Sequence, residues 1–213
     1  MIDNTSFLEK LCIFNEDESY YKFSAILRKK DCDQKELLLK FSSKKEILLK
    51  DWMVENKDQM DKALHDMKTF CDVFPCRIYL SLDRKNKKKT LIQMRNKVDS
   101  YLDVYMSTEE KPYISIKSIS KLVSSSTSIA ESSDKNDKRW LFDINTDDLG
   151  VIRSIEYICD TDHIATLKTV NGYHVVANKT FSPNDRGLYK IQKQIGENVV
   201  ELKSNAMTLI MKK

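Results

Sequence analysis

Asp143, Asn145, His174 and Glu201 are the residues of this 213-residue chain whose types and placement suit chemistry on a charged substrate. The first two lie in Lys138 to Asp148, KRWLFDINTDD. Alternation there puts Trp140, Phe142 and Ile144 on one face of a strand and Leu141, Asp143 and Asn145 on the other. His174 lies in Lys168 to Val176, KTVNGYHVV, where Asn171-Gly172 is a tight hairpin signal that puts the histidine on a strand two residues after the turn. Glu201 lies in the strand-like VVELK. Oxygen ligands for one or two hard cations, beside a histidine and with Lys168 to grip phosphate oxygens, suit phosphoryl or nucleotidyl transfer. Neither a P-loop nor a GxGxxG stretch competes for that role. The plainer reading makes Asp143 to Asp148 a strand end and helix cap, and His174 a satisfied hairpin histidine.

The elements that must position these residues follow from pattern. Arg139 to Asn145 reads as a strand, and Asp147 to Cys159 as a helix capped near Thr146. His163 to Thr169 and Tyr173 to Ala177 form a hairpin. A helix capped near Asn184 runs through Leu188, Ile191 and Ile195 to Gly196, and strands at Val199 to Lys203 and Met207 to Met211 follow. The order is β-α-β-β-α-β with one extra strand, the ferredoxin-like or split βαβ arrangement. In it Asp143 and Asn145, His174 and Glu201 come from three adjacent strands, with Trp140, Phe142, Val175 and Leu202 packed against the helices; a slip of one residue would invert a strand.

Upstream, Tyr20 to Arg28 and Cys76 to Leu82 read as strands. Lys35 to Leu49 and Met53 to Phe70 follow helical spacing, with Met60, Ala63, Leu64, Met67 and Phe70 as a stripe. His65 in that helix has no other ligand type at metal-binding spacing and reads as structural. The run Arg84, Lys85, Lys87, Lys88, Lys89 opens a helix striped with Leu91, Met94, Val98, Leu102 and Tyr105. Positive charge at a helix start opposes the macrodipole, which hints at a polyanion, although a solvated loop explains it equally. Met106 to Asp137 is serine-rich with little apolar period and reads as a long connection between two lobes, mobile or partly ordered by a ligand or the neighbouring lobe. The expected organisation is a lobe over 1–105, a connection over 106–137 and a second lobe over 138–213.

Charged residues make up 32% and hydrophobic ones 41%, with four Gly and three Pro, which fits a soluble α+β chain. A net charge of +4 is too small to establish a polyanion partner. No apolar run approaches the ~20 residues of a membrane span, and no secretory signal pattern opens the chain, so a cytoplasmic location is the expectation. Five cysteines without a C-x-x-C pair argue against a disulfide framework and a zinc module.

WLFDIN resembles the metal-binding strand of the archaeo-eukaryotic primase superfamily, the primase-polymerases, whose pattern is an apolar strand ending in D-x-D. KTVNGYHVV resembles that superfamily's second motif, a small residue and then a histidine on a strand, and CRIYLSL with its basic helix resembles the N-terminal lobe more weakly. The similarity is nearest to small versions carried by phages and mobile elements and spans roughly Tyr20 to Ile210. It implies a two-lobed core, an N-terminal α/β lobe with an RRM-like (ferredoxin-like βαββαβ) C-terminal lobe. It also implies Asp143 as a ligand of Mg²⁺ or Mn²⁺ and His174 as a contact to the phosphates of an incoming nucleotide. Asn145 stands where the family has its second acid, and Glu201 is the nearest match to the third.

Three functions follow. The first is a metal-dependent primase-polymerase-like nucleotidyltransferase acting on nucleoside triphosphates and a single-stranded or primed nucleic acid. In it Asp143, Asn145 and Glu201 form the catalytic metal set and Lys168 and His174 hold triphosphate, while Arg77, Lys87, Lys88 and Lys89 approach the nucleic-acid backbone. The second is a catalytically reduced member that binds nucleotide or nucleic acid, to which Asn145 points. The third is a plain ferredoxin-like interaction protein.

Overall fold

The computed structural model describes residues 1–15, 18–32, 38, 41, 43–107, 119, 121–133 and 137–213. It is an α+β structure with two antiparallel sheets and six α-helices among those residues. The first sheet takes β1 (Ile2–Asp3), β2 (Ser19–Arg28), β3 (Glu46–Val54), β4 (Arg77–Ser81) and β10 (Met207–Lys212) in the order β1-β10-β4-β2-β3, with β5 (Lys85–Asn86) paired to β2. Its helices are α1 (Leu8–Leu11), α2 (Lys57–Val73), α3 (Lys87–Ser107) and α4 (Leu122–Thr127). β2 is an aromatic and branched run buried along nearly its whole length, as befits an interior strand that pairs with β3, β4 and β5. In α2 the expected stripe faces inward through Met60, Ala63, Met67 and Cys71, and Asn56 caps the helix by accepting from the Gln59 amide at 2.9 Å. No helix among the described residues is long and apolar enough to cross a membrane.

The second sheet holds β6 (Arg139–Ile144), β7 (His163–Lys168), β8 (Tyr173–Asn178) and β9 (Val200–Lys203) in the order β7-β8-β6-β9. α5 (Leu149–Cys159) connects β6 to β7, and α6 (Leu188–Ile195) connects β8 to β9. The chain order of these elements is β-α-β-β-α-β. One face of this sheet packs Phe142, Ile144, Val175 and Val200 under Ile152, Ile155 and Leu188 of the two helices. The other face carries Leu141, Ala165, Leu167 and Val176 into the same core as Leu8, Leu11, Phe23 and Ile78, so both faces of the sheet are buried over much of their length. A Cβ at Gly172 in the β7–β8 turn would stand 2.0 Å from the Ile144 carbonyl oxygen and 2.8 Å from the Thr146 amide nitrogen, so the hairpin seats against β6 only with glycine there.

Several expectations change. Residues 46–54 form a strand where helical spacing had been read, because alternating Ile47, Leu49, Trp52 and Val54 are interrupted by a register shift opposite Ala25 and Ile26 that disguises the period of two. The remaining described part of the expected 35–49 helix is too short to test it, since residues 35–37, 39–40 and 42 lie outside the described set. The α5 cap is Asp148, which accepts from the Gly150 amide at 2.7 Å, two residues beyond the expected Thr146. The α3 stripe does not join the core: Thr90 is that helix's buried residue, while Leu91, Val98 and Leu102 are exposed. The final strand leaves the second unit and pairs with β4 and β1.

Where it is described, the serine-rich stretch is ordered against the first sheet, in line with the expected ordering by a neighbouring lobe and not with a mobile connection. Residues 121–133 form α4 and a short 3-10 turn, with Ser126, Thr127, Ser132 and Ser133 buried; residues 108–118, 120 and 134–136 lie outside the described set. Their hydroxyls satisfy lysines buried on the first sheet. Lys22 donates to Ser128 Oγ at 2.9 Å and pairs with Asp51 at 3.2 Å, and Lys85 donates to Ser133 Oγ at 2.7 Å. Gly172→Ala should lower unfolding free energy by more than ~1 kcal/mol, because the blocking atoms are backbone atoms that cannot rotate away. A urea melt of the two proteins measures it, and an unchanged midpoint would show that the turn is not held against β6.

Candidate functional site

Strand register brings three of the expected residues together. Asp143 stands directly opposite His174 across β6–β8 and directly opposite Glu201 across β6–β9, so the three side chains share one face. His174 is 8% exposed. Its Nε2 is 3.4 Å from Asp143 Oδ1, and its Nδ1 is 2.9 Å from Thr208 Oγ1 on β10 of the other sheet. With the Nε2 proton facing Asp143, Nδ1 accepts from the threonine hydroxyl. Lys203, two residues beyond Glu201 and therefore on the same face, donates to Asp143 Oδ2 at 2.6 Å and lies 2.9 Å from Glu201 Oε2.

These contacts fix the charge states. The hydrogen-bonding imidazole of His174, then the ammonium of Lys203, outweigh burial and hold the Asp143 carboxyl at about 2. Burial acts against the charge of Lys203, but hydrogen bonds to Asp143 and Glu201 prevail and raise its pKa.

The site opens into a cleft of about 430 Å³ between the two sheets, within the roughly 300–1,000 Å³ of small-molecule sites. The second sheet contributes Asp143, His174, Lys203 and the Thr169–Asn171 turn; the first contributes Arg28, Arg77, Tyr79 and Leu209. Arg77 is buried and donates to both oxygens of Asp31 at 2.5 and 2.9 Å. Burial works against the ionised Asp31, yet Arg77 and Lys212 hold its pKa at about 2. Arg28 lies 3.0 Å from Glu46 and 5.4 Å from the centre of the Tyr79 ring.

The remaining expected residues sit elsewhere or have different partners. Asn145 lines the cleft just past the end of β6, and its side-chain amide donates to the Asn198 carbonyl at 3.4 Å. Lys168 lies outside the cleft, paired with Asp147 at 2.5 Å and 4.3 Å from the centre of the Tyr173 ring. Glu201 does not line the cleft, and its side chain is 60% exposed. Lys87, paired with Glu55 at 2.9 Å, and exposed Lys88 line a separate hollow with Glu18, Leu91, Ile92 and Arg95; Lys89 donates to the Ser133 carbonyl. That basic run and the cleft are distinct surfaces.

The expected metal set does not fit as it stands. Among the described residues no group of three or more His, Cys, Asp or Glu side chains is placed to hold a metal ion. The space between the two acids is taken by the Lys203 ammonium, and the neutral Asn145 amide is turned to a backbone carbonyl.

Sequence reasoning missed Lys203 and Thr208. Lys203 was within reach, since alternation in VELK places it with Glu201 on one face. Thr208 had no local signal, because its role depends on β10 joining the other sheet. Comparison with protein-family models, with curated proteins and with solved structures returns no match for this chain.

The Asp143 carboxyl is displaced downward from 3.8 to about 2, so its stabilising contribution is complete above 3.8 and is lost as pH falls towards 2. Wild type should therefore lose on the order of 2 kcal/mol of its advantage over Asp143→Asn across that window. Denaturant melts of both proteins at several pH values read this directly, and parallel acid limbs would show that Asp143 has no special pairing.

Proposed function

We propose that the chain is a primase-polymerase-like nucleotide-binding module whose inter-sheet cleft takes the phosphates of a nucleoside triphosphate. The observation that carries this reading is the juxtaposition of Asp143 and His174 on adjacent strands, at the mouth of a cleft whose opposite wall holds Arg28 and Arg77. Phosphate oxygens are recognised by guanidinium and ammonium groups, and Arg28 on one side of the cleft stands across from Lys203 on the other, while His174, engaged by Asp143 and Thr208, holds the carboxylate in place. Further support comes from topology. The βαββαβ order with strands arranged β7-β8-β6-β9 agrees with the RRM-like lobe the resemblance implies, and the first sheet with α2 and α3 is compatible with its N-terminal α/β lobe. The residues the resemblance singles out, Asp143 and His174, are the ones that meet.

Nucleotidyl transfer to a nucleic-acid strand is the second reading, favoured by one observation: Asp143 and Glu201 face each other across β6–β9 on the cleft side of the sheet. Asn145, Arg77 and the lysines at 87–89 then keep the roles the resemblance gives them, with Mg²⁺ or Mn²⁺ required and Lys203 displaced from the acids. The binding reading comes first because the acids are already compensated.

Calorimetric titration of a nucleoside triphosphate in buffer containing Mn²⁺ tests the proposal. Wild type should bind, and Arg28→Ala should weaken binding by about tenfold, the worth of one charge-assisted hydrogen bond. A folded wild type that takes up no triphosphate sinks the reading. Incorporation of labelled nucleotide onto a primed strand, abolished by Asp143→Ala, would promote the second reading over the first.

A further inference from the structure

The cation between Asp143 and Glu201 belongs to the protein itself. Two carboxylates directly opposite each other on antiparallel strands repel, and the pair is tolerated only with a positive charge between them. In this chain the Lys203 Nζ provides it, 2.6 Å from Asp143 Oδ2 and 2.9 Å from Glu201 Oε2. Both separations are those of charge-assisted hydrogen bonds. An ammonium has three N–H donors, and the two carboxylates engage two of them.

We infer that Lys203 stands in for a divalent ion, so that the cleft binds a nucleoside triphosphate without a metal, the third N–H of the ammonium donating to a phosphate oxygen. The inference rests on the cleft being the nucleotide site.

Three features of the surroundings agree. Lys203 lines the cleft, whereas Glu201 does not, so the ammonium is presented to the cavity and the second acid lies behind it. The lining carries four cationic side chains, Arg28, Lys30, Arg77 and Lys203, balanced by Glu46 and Asp143 in the lining and by Asp31 and Glu201 beside it, so the cleft offers a polyphosphate N–H donors and not an excess of charge. Asn145 brings no further charge: with one acid on β6 instead of two, the site has less need of a dication and a single ammonium leaves a smaller residual charge. A lysine tethered to β9 also loses less freedom on binding than an ion drawn from solution, since it is already held in place by its two acids.

The test is calorimetric titration of adenosine triphosphate into the full chain, once with excess chelator and once with Mn²⁺. Alongside it, Mn²⁺ alone is titrated and followed by its electron paramagnetic resonance signal. Wild type should bind the triphosphate with affinities within about twofold under the two conditions and should leave free Mn²⁺ unbound. Lys203→Gln should lose about tenfold or more in chelator, recover affinity in Mn²⁺ and take up the free ion, while Lys203→Arg should keep metal-independent binding. Triphosphate binding by wild type that disappears in chelator and returns with Mn²⁺ overturns the inference and leaves the cleft as the nucleotide site. Absence of binding under both conditions removes the site and the inference together. The wild-type comparison decides the matter even if a variant fails to fold.

Discussion

The half-buried Asp143 carboxylate is the charge around which the two sheets meet. An ionised carboxylate taken out of water must be paired and hydrogen-bonded, or it shifts to its neutral form. Asp143 is held by His174 from β8 and Lys203 from β9, and His174 in turn is held by Thr208 from β10. Three strands of one sheet and one strand of the other are thus committed to a single charge. The hydrophobic core beneath could be satisfied by many relative positions of the sheets, because apolar packing is non-directional. The hydrogen bond between His174 and Thr208 is directional, and it fixes where β10 runs past β8.

A second set of charges follows the same rule on the first sheet. Lys22 and Lys85 are nearly inaccessible to water, and the segment over 121–133 covers them with hydroxyls and carbonyls. Burial, more than the neighbouring charges, pulls the Lys85 ammonium down to about 8. Serine serves here because it is small, carries a hydroxyl that can accept, and tolerates the irregular backbone between a short helix and a turn. The same lysines would be costly without that cover, so the segment is part of the first unit's interior.

The face of each residue in the second sheet was legible because alternation is a local property. Trp140, Phe142 and Ile144 pointed to α5 and α6, Asp143 pointed away, and the Asn171-Gly172 turn set where His174 would fall. The strand over 46–54 was not legible as such, since the shift near Ala25 breaks its period and leaves a pattern that resembles a helix. The serine-rich stretch left its two alternatives open for a different reason. Its burial is polar, held by hydrogen bonds to lysines far away in sequence, and apolar periodicity carries no trace of that. The metal set followed from alternation, from the expected strand order and from the resemblance, and a lysine among the acids lies outside all three because it is not a metal-ligand type.

The first sheet is assembled from both ends of the described chain. β1 lies at one edge, β10 enters between β1 and β4, and everything from β6 to β9 is completed before β10 is reached. In topological terms the second sheet is an insertion within the first. During synthesis, β6 to β9 can pair while the first sheet still lacks an inner strand, and the arrival of β10 completes that sheet and delivers Thr208 to His174 in one step. The inner strand that closes the first sheet and the threonine that holds His174 are thus the same element, and a cut through the serine-rich segment leaves the first sheet without it.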